Sequence, residues 1–165
     1  IIDPELTFQM AVEDYRRQGY SEKWINERMR SIEMRKELTD EWQRAGIHEQ
    51  KDFAILTNIL TKAWSGMTTG EYKRHKGLTK ENLRDNMTNV ELALNTLAEV
   101  TATEISRQRN PKGMAQSSQT AREGGEVARN ARADIESRIG RSVISSKRAL
   151  DYIHPIEDTK TKELE

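Results

Sequence analysis

Apolar residues recur along this chain every three or four positions, and runs that alternate at every second position are nearly absent. The pattern predicts helices. Asp3 before Pro4 reads as an N-cap with proline at the first helical position, and Gly19 closes that segment. Ser21 caps a second segment, which runs toward Ala45 before Gly46 and carries Trp24, Ile25, Met29, Ile32 and Trp42 at helical spacing. "TDEW" at Thr39 offers a place for that helix to break and restart. From His48 to Ser65, Phe53, Leu56, Ile59, Leu60, Ala63 and Trp64 form one stripe. "GMTTGEYKRHKGL" reads as a connector with one short helix, and "LTKENLRDNM" as another short helix capped by Thr79. Thr88 and Glu91 form the sequence signature of a capping box, followed by Val90, Ala93, Leu94, Leu97, Val100 and Ile105 on one face. Asn110, Pro111 and Gly113 interrupt the pattern. A last short helix is expected from Ser145 or Ser146 to before Pro155. Only "RSVIS" around Val143 has strand character. The expected fold is all-α, about six to eight amphipathic helices in a bundle, over residues 3–154 with a polar tail at 155–165.

The stretch "TAREGGEVARNARADIESRIG", Thr120 to Gly140, reads as a helix with two glycines near its start. Each glycine costs a helix roughly 1 kcal/mol relative to alanine. On a helical wheel Ala121, Gly124, Gly125, Ala128, Ala131, Ile135 and Ile139 fall within about 120° of one another. This nearly side-chain-free face lets another backbone approach closely. Its partner is either a helix of the same chain, such as the Val90–Ile105 segment, or the same helix in a second copy. Arg132 lies at the edge of the face, and either its stem packs with its head in water or it holds a phosphate or a partner carboxylate.

Composition changes the picture little. The 165 residues suit one domain with a real core, and 27 basic residues balance 27 acidic ones. The distribution is uneven: Ile105 to Arg148 holds 10 basic against 4 acidic residues, and the last 17 residues hold 2 against 5. A locally basic third is a weak indication of nucleic-acid binding. The tightest basic cluster is "YKRHKG", Tyr72 to Gly77. Lys73, Arg74, Lys76, Arg107, Arg109, Lys112 and Arg132 are the candidate nucleic-acid contacts. No apolar run approaches the roughly 20 residues that span a bilayer. Absence of cysteine excludes disulfides and thiolate metal sites and suits a cytoplasmic protein. The chain opens "IIDPELTF" without an initiator methionine, as expected of a piece of a longer protein.

Catalytic patterns are missing. His48, His75 and His154 have no second ligand at metal spacing, and no HExxH, GxSxG, phosphate loop or dinucleotide fingerprint occurs. Neither an enzyme nor a bound cofactor or metal is expected. The three tryptophans have apolar neighbours and read as core.

"GYSEKWINERMRSIEMRKELTDEW", "FAILTNILTKAWSGMTTGEYKRHKGLTKENLRDNMTNVEL" and "AREGGEVARNARADIESRIGRSVIS" together resemble the C-terminal region of prophage antirepressors that carry a Bro-type N-terminal domain. "DFAI", "HKGL", "LRDNM" and "VELALN" more distantly resemble the C-terminal half of DNA-damage-inducible protein D. The antirepressor resemblance implies a non-catalytic interaction and oligomerisation domain, with a repressor, a recombination protein or a second copy as partner. The resemblance to DNA-damage-inducible protein D implies the alternative, a DNA-binding domain of a modulator of recombination.

Overall fold

Three hydroxyl side chains start the helices around which the fold is organised. Ser21 accepts from the Trp24 N–H at 3.1 Å, and Thr68 and Thr88 each form a full capping box with the glutamate three residues on. The computed structural model describes residues 4–153. Its helices are α1 (Pro4–Gln18), α2 (Glu22–Arg44), α3 (Gln50–Ser65), α4 (Thr69–His75), α5 (Asn89–Arg109), α6 (Gly113–Ile139) and α7 (Ala149–Tyr152), with a 3₁₀ turn at Arg84–Asn86. No strand occurs among the described residues, so the architecture is all-α. Asp3, His154 and the 155–165 tail lie outside them.

Several expectations are corrected. α2 passes through "TDEW" unbroken. "LTKENLRDNM" forms only the 3₁₀ turn, because Asn82, Asn86 and Asp85 bond the local backbone or distant side chains instead of continuing a helix. α6 begins at Gly113, so Gly124 and Gly125 lie in mid-helix. The final helix is one turn long, and Val143 sits buried in an irregular segment.

α5 is the central element. It packs along α6 and α2 and touches α3, while α6 also packs along α3. α1 rests on α2, and α4 on α3. Trp24, Trp42, Trp64, Leu38, Leu56, Leu60, Tyr72 and Leu92 are buried in the resulting core. The stripe expected on α5 is only partly inside: Val90 and Leu97 are 45% and 36% exposed. Its buried surface instead carries Glu91, Asn95, Glu99, Thr103 and Ser106 beside Leu92, Leu94, Ala98 and Ala102. Packing on more than one side leaves α5 little solvent face, and partners on other elements draw its polar groups inward. Ile32 on α2 is likewise exposed.

Gly124 and Gly125 face different helices. A Cβ on Gly124 would lie 2.7 Å from Ala98 O, Ala102 N and Ala102 Cβ of α5. One on Gly125 would collide with Ala63 Cβ and lie 2.7 Å from Leu60 O of α3. The smooth face is therefore occupied inside the chain. Ala121 and Ala128 are fully buried with it. Ala131 and Ile135 are half-buried, and Ile139 is 48% exposed and leaves the contact. Two backbones crowd α6 at one level, and dispersion across such a contact offsets the glycine propensity cost. Gly125→Ala should therefore destabilise the domain by about 1–3 kcal/mol in urea unfolding despite its better helix propensity. A variant as stable as the parent would mean that α3 and α6 have room to spare.

Candidate functional site

The polar face of α5 is built from two carboxylates, each four residues from a central amide: Glu91, Asn95 and Glu99, all buried. Residues i, i+4 and i+8 lie on one side of a helix, so three polar groups form a ridge inside the bundle.

At the N-terminal end, Glu91 accepts from Lys76 Nζ at 2.9 Å, from the Tyr72 hydroxyl in a short bond, and from the Thr88 N–H at 3.0 Å. The Lys76 and Glu91 side chains are both fully buried. Lys76 Nζ also donates to Ser145 O and Lys147 O, each at 2.8 Å, so all three of its protons are used. This corrects the expectation that Lys76 meets phosphate: its head is the clamp that ties the 145–147 segment to α5. A buried pair stripped of one partner costs about 3–5 kcal/mol. Lys76→Met should destabilise by that order, and adding Glu91→Met should recover much of the loss. Urea unfolding of the two variants measures the difference.

Burial and then Glu91 push the Tyr72 phenol far above its ordinary range. Burial raises Tyr20 and Tyr152 too, and burial with the bond to Asp85 pushes Tyr15 up to about 12. An acid with a raised folded pKa keeps a proton that the unfolded chain has lost. Its stabilisation is present below the unfolded value and lost above it. Burial acts oppositely on Lys76, lowering it against the pull of Glu91, and that contribution grows with pH below the ordinary lysine value. The tyrosines dominate above it. Stability should fall as pH rises past 10.0, the ordinary tyrosine value, with tyrosinate absorbance appearing together with loss of helical circular dichroism. Tyrosines that titrate near 10.0 in an intact helical protein would contradict this.

At the middle of α5, Trp64 Nε1 donates to Asn95 Oδ1 at 3.1 Å, and Asn95 Nδ2 donates to Glu99 Oε1 at 2.7 Å. Glu99 thereby has one fixed orientation. It pairs with Arg84 at 3.3 Å and Arg35 at 3.6 Å. Above it opens a cleft of about 390 Å³ lined by Arg28 and Arg35 of α2, Thr57 and Thr61 of α3, Thr69 and Lys73 of α4, and Asn82, Leu83, Arg84 and Met87 of the 76–88 connector, with Asn95 of α5. Arg28 is buried and pairs with Asp85 at 2.9 Å. Arg35 is further held by Thr57 at 2.5 Å and lies over the Trp42 ring, 5.2 Å from its centre. Burial and then the neighbouring Arg84 charge lower the Arg35 pKa, with Glu99 opposing them. Two guanidinium groups thus share one carboxylate. Four cations line the cleft and two carboxylates pair with them, leaving an excess of two positive charges.

The connector that brings Arg84 here is pinned from several elements. Tyr20 and Tyr15 bond Asp85 through its carbonyl and carboxylate, at 2.6 and 2.8 Å. Trp24 and Tyr152 bond Met87 O at 2.8 and 2.9 Å. The Ala149 N–H donates to Asn86 Oδ1 at 2.8 Å. Tyr20 stacks on Trp24 with ring centres 3.9 Å apart, so α1, α2 and α7 hold the turn together.

Of the candidate basic residues, only Lys73 lines the cleft. Arg74 is exposed on the same short helix. Arg107 pairs with Glu104 and Glu37, and Arg109 with Glu123. Lys112 is exposed at the start of α6. Arg107 and Arg109 lie at the far end of α5, about 27 Å along the helix from Glu91, so the seven residues do not make one patch. Arg132 donates to Ser65 O at 2.8 Å and Trp64 O at 3.4 Å, and pairs with Glu136 at 3.1 Å. It caps the C-terminal carbonyls of α3, which answers the question of its head group. Arg28, Arg35, Arg84 and Glu99 were not among the candidates. The signal for them is the one-heptad separation of Arg28 and Arg35 and the Glu91–Asn95–Glu99 period.

Comparison with known families decides the kinship. Residues 19–152 match the DinD C-terminal domain. The chain belongs to that family. The match spans the cleft and the Lys76 clamp together. No curated protein and no solved structure matches the chain significantly. No helix among the described residues is long and apolar enough to cross a membrane.

Proposed function

We propose that this DinD-family domain is a non-catalytic module that binds nucleic acid in a cytoplasmic regulatory protein, with a strand's phosphates seated in the Arg28–Arg35–Lys73–Arg84 cleft. The observation that carries the reading is the excess of two positive charges in a preformed concave site. Guanidinium groups suit phosphate because their planar donors meet two oxygens at once. The Thr61 and Thr69 hydroxyls and the Asn82 amide add neutral donors to the same wall, while the Thr57 proton is spent on Phe53 O. A duplex is too broad to enter a cleft of this volume, so a single strand or a frayed end is the fitting partner.

A second reading, a surface for a protein partner or a second copy, has separate support. Val90, Ala93 and Leu97 are exposed on α5 with helical spacing. The glycine face no longer speaks for it, being filled by α3 and α5. The antirepressor side of the resemblance rests on residue pattern, whereas the DinD side has the family match.

Fluorescence anisotropy of a labelled single strand, titrated at two salt concentrations, tests the first reading. Binding should weaken steeply with salt. Lys73→Glu should weaken it by about tenfold and flatten the salt dependence, while Arg107→Glu at the far end of α5 changes it little. An unaffected Lys73 variant, or no binding beside a defined dimer mass by light scattering, would move the function to the α5 surface.

A further inference from the structure

The cleft is smaller and more sharply charged than a groove that follows a strand. Its volume of about 390 Å³ falls in the range of small-ligand sites. Its charges converge from three elements, α2, α4 and the connector, on one concavity, whereas a strand-tracking surface spreads them along a path. Arg84 spends one NH2 group on Glu99, and the Lys73 ammonium has no hydrogen-bond or ion-pair partner among the described residues. Donors therefore remain for a ligand after the internal pairs are made. The residual charge of two matches a phosphate monoester, which carries close to two negative charges at neutral pH. A backbone phosphodiester carries one and would leave a cation unmatched.

Resting on the reading of this cleft as a phosphate site, we propose that it is a receptor for a phosphate monoester, held between Arg84, Lys73, Arg35 and Arg28 above the Glu99 floor. Such a group is presented by the 5′-phosphorylated end of a strand or by a free nucleotide. Glu99 holds Arg35 and Arg84 in place before the ligand arrives, which limits the ordering needed on binding.

The test uses the 165-residue chain with two oligonucleotides of one sequence, one ending in a 5′-phosphate and one in a 5′-hydroxyl, and with adenosine monophosphate as competitor. The phosphorylated strand should bind at least about tenfold more tightly, since it adds charge-assisted bonds the hydroxyl end lacks. Lys73→Gln, on the rim, should reduce that preference severalfold without altering the thermal midpoint. Arg84→Lys, which keeps a cation for Glu99, should also reduce it through loss of the planar fork. Competition by the mononucleotide at the strand's own affinity identifies the free nucleotide as the source. Weak competition identifies the strand end. Equal, salt-sensitive binding of both strands overturns the monoester site while leaving strand binding intact. Failure of all probes to bind overturns both.

Discussion

Two carboxylates with no access to water, Glu91 and Glu99, are the constraint on which this fold turns. An isolated charge in a protein interior costs several kcal/mol, and it persists only with cations and donors fixed around it. Each glutamate accordingly dictates what its neighbours must be. Glu91 gathers Lys76, Tyr72 and its own helix cap. Glu99 gathers Arg35, Arg84 and Asn95. The residues that answer these demands come from α2, α4 and the 76–88 connector, so satisfying two charges on one helix fixes elements that have little regular structure of their own.

The other backbone constraint is steric. α6 can reach α5 and α3 at the same level only because Gly124 and Gly125 have no side chains. That approach positions α6 so that Arg132 reaches the carbonyls of Trp64 and Ser65. The end of α3 is thereby fixed, and Trp64 carries the bond that orients Asn95 and then Glu99. A helix-packing feature far from the cleft is in this way continuous with the orientation of the cleft's floor. The link is one of contact and hydrogen bonding, each step a named pair.

What was legible in the sequence follows the physics of local signals. Caps and glycines are local, so Ser21 and Thr88 with Glu91 mark helix starts correctly, and Thr68 with Glu71, absent from the expected starts, carries the same signature. The purely apolar stripe of α3 also reads true at Leu56, Leu60 and Trp64. The α5 face does not, because periodicity assigns apolar residues inward and charged ones outward. In α5 the inward positions at Glu91 and Glu99 depend on partners as far away in sequence as Arg35. The same blindness hid the cleft. Arg28 and Arg35 look like the solvated side of a charged helix until the connector folds over them. Lys76 erred in the other direction: within "YKRHKG" it is one cation among several, and only the fold separates it, buried, from Lys73 on the rim and Arg74 in solvent.

The difference between the two glutamate sites bears most on function. Around Glu91 the donors are used up: Lys76 makes three bonds, all internal, and the site is closed. Around Glu99 two guanidinium groups share a single carboxylate, and a third cation pair and a lysine stand beside them at an opening. A site serving structure alone gains nothing from surplus like charge, which raises the cost of holding the cations together; burial first, and then the Arg84 charge, depress the Arg35 pKa. Glu99 offsets enough of it for the folded chain to keep the cleft assembled without a ligand, yet leaves a field that an anion would neutralise. An excess of charge at an open cleft, beside a neighbouring site where charge is fully matched, is the pattern expected where an anionic partner supplies the remaining counter-charge.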